Sequence, residues 1–371
     1  MLDKLKPIEH GFKAMVFAMT RLMLKRKSRD FQPLDGRSLT KVLFLRPEKI
    51  GDMAISLPVF DGLKKHYPHI KISILGSPKN EALIGHDPRF DRVFMYRKNI
   101  WRDIAEVSRI RKERFDCVVD MIGDDSVTAL YLSQLCAPGK PRIGVGKVKF
   151  REFYDFNYDP RMGNTGHIIQ NTLRLLDAFG IDSEKVDRYA TPHIPPDALK
   201  RAAQFVNGLK AGDAGCPVIG YNLSAGSKTR LWAMENARVL LNRIHEYCPK
   251  CRILLISVKA DRERSETLAS QVPGAAQVPP SLSLIEASAM LSQLDLLISP
   301  DTSLVHIARS FHVPVVGLYS RFMKNFLLWR PFGQEIGAVV SGNDDNIHDI
   351  TVDQVYDAFV KLMESRSAVP Q

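Results

Sequence analysis

Long apolar runs, cysteine and acidic side chains are what this sequence has least of. Within the first thirty residues, where an export signal or anchor would begin, the longest uncharged run is Ala14 to Thr20. That is far too short to cross a bilayer or to form a signal-peptide core. Cysteines number five in 371 residues and are scattered, which argues against a disulfide framework and for a reducing compartment. Cys248-Pro-Lys-Cys251 has C-x-x-C spacing, but no second pair completes a zinc site. It also falls at a helix-to-strand junction, where a redox pair would instead open a helix, so the spacing reads as coincidental. Asp and Glu total 41 against 52 Lys and Arg, a net charge of +11. Such a balance favours acidic partners: nucleic acid, an anionic lipid surface or a phosphorylated substrate. No zinc-finger spacing, RNP-like aromatic motif or recognition-helix pattern accompanies it, so nucleic acid is set aside.

What is present fits a globular chain long enough for two domains, each with a core. Residues 1–34 stand apart as a basic segment. Ile8, Phe12, Met15, Met19, Leu22 and Met23 recur at helical spacing. Eight Lys and Arg against three carboxylates in residues 1–30 carry nearly half the net excess. A helix of this kind lies on an anionic membrane surface or docks on its own protein; the sequence leaves both open.

From Lys41 onward, short apolar runs alternate with helical stretches. Strands are expected at Lys41–Arg46, Lys71–Gly76, Arg92–Tyr96, Phe115–Met121 and Arg142–Val145, with a helix over Ala54–Tyr67. The pattern loosens after Lys147, and Thr191-Pro-His-Ile-Pro-Pro196 reads as a linker. It then resumes with strands at Pro217–Leu223, Arg252–Ser257, Leu294–Ser299 and Val313–Tyr319, and closes on an amphipathic helix, Thr351–Glu364. Fully apolar strands separated by helices indicate parallel sheets covered on both faces. The expectation is α/β: two doubly wound, Rossmann-like domains, 35–195 and 196–371, with the ligand in the cleft at their strand ends.

One stretch organises the second half. After the apolar run Leu294–Ser299, Pro300 intervenes, and Asp301, Thr302 and Ser303 offer cap chemistry for a helix carrying Leu304, Val305, Ile307 and Ala308. A strand, a polar turn and a helix N-terminus together make a site for phosphate. Read alone, Asp301 is equally a cap and His306 equally a half-buried core histidine.

Three further segments break that tie. They are Ile50-Gly-Asp-Met-Ala-Ile-Ser-Leu-Pro58 behind the first strand, Arg230-Leu-Trp232 after the small-residue loop from Asn222, and Trp329-Arg-Pro-Phe-Gly333. With Asp301-Thr-Ser-Leu-Val-His-Ile-Ala308 and the following Pro314-Val-Val316, in this order, the chain resembles glycosyltransferase family nine, the heptosyltransferases of lipopolysaccharide core assembly. The resemblance spans roughly residues 40–360. It departs at two places: Ser303 stands where the family has Gly, and Arg230 where it has Lys.

The resemblance implies a GT-B fold and inverting transfer from a nucleotide-sugar, ADP-heptose in the family, to a lipopolysaccharide core or similar glycolipid. It implies Asp52 as base, although Asp52 alone would read as a helix cap. On the donor side it implies Arg230 and Lys228 on the diphosphate, the helix start at Thr302 and Ser303 as N–H donor, and Asp301 on sugar hydroxyls, with Ser224 and His306 completing the set. Arg46 and Lys49 would face the acceptor or else be simply solvated. No metal and no cofactor is implied, and the location implied is cytoplasmic, peripheral on the inner membrane. A sugar-nucleotide epimerase or a non-catalytic binder on the same fold are the competing readings.

Overall fold

The computed structural model describes residues 32–160, 166–213 and 215–367, together with Met19. Apart from Met19, the basic stripe of residues 1–30, with its two alternatives, therefore lies outside the described residues. Among those described, no helix is long and apolar enough to cross a membrane.

Two six-stranded parallel sheets carry the chain. The first uses β1 (Lys41–Leu45), β2 (Lys71–Gly76), β3 (Arg92–Met95), β4 (Cys117–Asp120), β5 (Arg142–Val145) and β6 (Phe156–Tyr158), in spatial order 3-2-1-4-5-6. The second uses β7 (Val218–Asn222), β8 (Arg252–Ile256), β9 (Ala275–Gln277), β10 (Leu296–Pro300), β11 (Val315–Tyr319) and β12 (Ala338–Val340), in order 12-11-10-7-8-9. Counted from its own first strand, the second sheet repeats the order of the first. The expected pair of doubly wound halves is what the chain forms. β4, β5, β7, β10 and β11 are buried along their whole length, which is why their sequences are apolar without alternation. Each sheet reverses direction of winding at one point, between β1 and β4 and between β7 and β10. Crevices for ligands open there, beyond the strand C-termini.

The helices differ from the sequence expectation in instructive places. Residues 54–67 are not one helix: α1 (Ile50–Ala54) stops, and α2 (Leu57–His66) begins after Ser56. Pro58 explains the break, because it has no N–H to give the carbonyl four residues back and its ring would strike it. α3 (Glu81–Ile84) and α4 (Ile100–Lys112) follow, then α5 (Val127–Cys136), which the sequence reading passed over. After His167 comes α6 (Ile168–Leu173), continued by a 3₁₀ turn to Phe179, and Gly180 closes it at φ 70°. In the second half come α7 (Pro196–Lys210), α8 (Met234–Tyr247), α9 (Arg262–Gln271), α10 (Leu284–Leu291), α11 (Ser303–Ser310), α12 (Met323–Trp329) and α13 (Val352–Ser367).

Cys248 and Cys251 are not a coincidental pair. They form a disulfide between α8 and β8, in a turn closed by the Cys251 N–H on the Cys248 carbonyl at 2.9 Å. That turn sets the Cα atoms 5.4 Å apart, within reach of a disulfide. The other three cysteines are buried and free.

Candidate active site

A cleft of about 910 Å³ runs between the two sheets, walled by the loops behind β1, β2 and β3 on one side and by α11 and the loop behind β7 on the other. The walls approach closely. Gly51, in the first turn of α1, lies so near α11 that a Cβ there would sit 3.5 Å from the His306 ring and 3.7 Å from the Ser303 Cα.

On the first wall, the loop Arg46–Lys49 leads from the β1 terminus into α1. Asp52 is at the third position of that helix. Its Oδ2 accepts the Lys49 backbone N–H at 3.1 Å, so the capping role that the sequence offered as its alternative is real. The carboxylate nevertheless opens on the cleft, as do Glu48 and Lys49. Arg46, expected to face an acceptor, is only 3% exposed and turned inward. Its guanidinium donates to the Asp52 carbonyl at 3.1 Å, to Ser56 Oγ at 3.0 Å, to the Met121 carbonyl and to the Glu48 carboxylate, and it lies 3.9 Å from Asp52 Oδ1. Arg46 holds the loop; it does not reach the cleft. Burial raises the Glu48 carboxyl above its usual range, against the pull of Arg46, with Asp52 adding repulsion.

On the second wall, Arg230 Nη1 donates to the Asp301 carbonyl and pairs with Asp301 Oδ2, both at 3.1 Å. The Arg230 side chain is 43% exposed, so part of its fork stays available. Thr302 is the N-cap residue of α11, yet its side chain does not cap that helix. Thr302 Oγ1 is drawn instead to Asn222 Nδ2 and Ser299 Oγ, each at 3.2 Å. The helix start therefore faces the cleft with its N–H end left uncapped by Thr302, and Ser303 is at its first position. Ser303 takes no positive φ, so the missing family glycine leaves no backbone strain. His306 is buried, its ring 5.6 Å from that of Trp329 and its Nδ1 without a hydrogen-bond partner among the described residues. Burial above all, with Arg309 second, holds it down to about 3. It is a neutral imidazole.

Two expected donor residues are not brought into this group. Ser224 is buried and turned towards the β8 side, donating to Asp261 Oδ2 at 2.6 Å and accepting from the Val258 N–H at 3.0 Å. Lys228 is exposed on a 3₁₀ turn and does not line the cleft. Conversely Ser77, Lys79, Tyr96 and Lys98 line it without having been singled out, and Trp329, named only within a family motif, lines it too. The first four follow β2 and β3, and the rule that ligands sit at strand C-termini was the signal that could have found them. Among the described residues, no three His, Cys, Asp or Glu side chains converge to hold a metal ion.

The model of glycosyltransferase family 9 (heptosyltransferase) matches residues 105–356, more than half of the chain. The chain belongs to that family. It is a glycosyltransferase, and the family likeness noted in its motifs is one of descent. The lipopolysaccharide core heptosyltransferase OpsX of Haemophilus influenzae is 21% identical over 296 residues, covering 78% of this chain and 81% of that one. A family 9 glycosyltransferase from Veillonella parvula superposes with a TM-score of 0.72 at 19% identity, over 90% of this chain and 99% of that one. The Escherichia coli heptosyltransferase WaaC with ADP-2-deoxy-2-fluoro heptose gives 0.65 at 18% identity, over 88% and 99%. These likenesses confirm the GT-B architecture of the family 9 fold.

Proposed function

We propose that this glycosyltransferase moves a heptose, or a closely related sugar, from an ADP-sugar to a lipopolysaccharide core or similar glycolipid, with inversion at the anomeric carbon. One observation carries the reading: in a member of family 9, the Asp52 carboxylate opens on the same cleft as Arg230, Asp301 and the uncapped start of α11. The acceptor hydroxyl attacks the anomeric carbon from the Asp52 side, and its proton passes to that carboxylate. The bond to the diphosphate breaks on the opposite face, and a single displacement inverts the centre. Charge then grows on the departing ADP, where Arg230 and the α11 N–H groups stabilise it. Asp301, tied to Arg230, is placed for donor hydroxyls. The heptosyl analogue in the solved E. coli relative supports an ADP-linked donor here. The exposed Lys49 is assigned to the acceptor side; Ser224, tied to Asp261, would join the donor side only by exchanging that partner.

The decisive experiment incubates the purified chain with labelled ADP-heptose and lipopolysaccharide core acceptors. Label appearing on the glycolipid with release of ADP is the expected result. Isomerisation without acceptor would point to an epimerase, and binding without turnover to a non-catalytic protein.

A further inference from the structure

Beside the cleft, α4 and α5 leave a groove of about 1180 Å³ between them. Its apolar lining comes from Ile100, Ile104 and Val107 on α4 and Leu132 and Leu135 on α5. A helix of a globular protein ordinarily turns its apolar residues inward. α4 buries only Ile110 and leaves Ile100 70%, Trp101 78% and Ile104 56% exposed. Single exposed apolar residues are commonplace, whereas a continuous patch rimmed by charge marks an interaction surface. The rim here is cationic: Lys98, Arg111, Lys112 and Arg114 are all exposed, against one acid, Asp103.

Charge decides the occupant. Residues 1–30 carry eight basic and three acidic side chains, so that segment would be repelled by this rim, and a second copy would bring the same cations. An anionic bilayer offers opposite charge at the depth of its phosphates and an apolar phase beneath. Tryptophan with flanking Lys and Arg suits that boundary. We propose that this face docks on an anionic lipid bilayer, with Ile100, Trp101 and Ile104 entering the headgroup–acyl boundary and the four rim cations on lipid phosphates. Tyr96 and Lys98 line both the groove and the cleft, so docking sets the cleft mouth beside the membrane. That this delivers the acceptor rests on the glycolipid reading; the docking does not.

The test uses the full chain with phosphatidylcholine vesicles containing or lacking phosphatidylglycerol. Binding is expected only with the anionic lipid, and Ile100→Glu/Ile104→Glu should weaken it about tenfold or more. Both positions are exposed, so this variant should keep its circular dichroism and its transfer to a detergent-dispersed acceptor. Vesicles with brominated acyl chains report insertion directly, because they quench tryptophan at the boundary. Residues 1–30 contain no tryptophan, so quenching that disappears in Trp101→Phe places α4, and not that segment, in the lipid. Unchanged vesicle binding of the double variant, or quenching that is absent or survives Trp101→Phe, overturns the proposal. Failure of wild-type transfer would instead strike the glycolipid reading and leave the vesicle result standing.

Discussion

Asp52 caps α1 and is proposed here as the base, and substitution separates the two roles. An amide still accepts the Lys49 N–H that Asp52 Oδ2 now holds, but it cannot take the acceptor's proton. Asp52→Asn should melt within a degree or two of wild type and lose roughly a hundredfold or more in kcat. Wild-type turnover would remove Asp52 from the chemistry. Arg230→Ala removes the cation proposed to meet the leaving diphosphate, together with its ion pair to Asp301. It should raise the donor KM and lower kcat together, by about ten- to a hundredfold in kcat/KM; calorimetry with ADP and steady-state kinetics would check it. His306 gives a pH signature. An unfolded histidine titrates near 6.5, while burial holds His306 to about 3 in the fold. Between those values the unfolded chain binds a proton that the native chain does not. Its contribution to stability is thus complete above about 6.5 and is lost as the pH falls towards 3. Buried His167 is shifted in the same direction. Urea unfolding at about pH 7 and about pH 4 should show a smaller difference in His306→Gln than in wild type. At this scale the meeting of Asp52, Arg230 and Asp301 on one cleft was legible because their motifs travel together. The inward turn of Arg46 was not, since its partners include the carbonyl of Met121, just past the end of the neighbouring strand β4.

The start of α11 depends on one buried amide. Asn222, at the end of β7, donates to Ser299 and Thr302 and accepts the Ser224 N–H. By occupying the Thr302 hydroxyl it keeps that side chain from capping the helix. Asn222→Ala leaves buried hydroxyls and an N–H short of partners and should cost about 2–3 kcal/mol. It should also raise the donor KM, because Thr302 is then free to fold back over the helix start. Guanidinium melts and donor titration would read the two effects; an unchanged KM would mean that Asn222 only braces the sheet. Helix starts and strands were legible from apolar spacing and Pro58 could have shown the α1–α2 break, but this amide's role was not, because its partners are separated by 77 and 80 residues. The same holds for Asp120, Lys147 and Tyr154, a buried trio with Lys147 Nζ 2.8 Å from Asp120 and Tyr154 donating to it at 2.5 Å. In the sequence Asp120 read only as part of a strand, and the stretch from Lys147 to Tyr154 only looked irregular.

Across the whole molecule the two halves share one buried apolar cluster as well as polar contacts. α11 bears on α1 beside the cleft, and His167 Nε2 lies 2.7 Å from the Arg330 carbonyl. Tyr189 stacks on His312 at 4.1 Å, and Arg309 reaches across to the Arg188 carbonyl while lying over the Tyr189 ring. The architecture was readable because parallel strands buried on both faces leave an unmistakable apolar run. The α4–α5 groove was not readable, because apolar side chains at helical spacing look the same whether they face a core or a membrane.

That the second sheet repeats the strand order of the first makes the chain divisible. Each half closes its own sheet before Thr191 or after Pro195, with no strand exchanged between them. Recombination between family members at that linker should therefore yield folded hybrids, provided Gly51 still meets Ser303 and His306 and Tyr189 still meets His312. Preference for the nucleotide-sugar would be inherited with the second half and preference for the acceptor with the first.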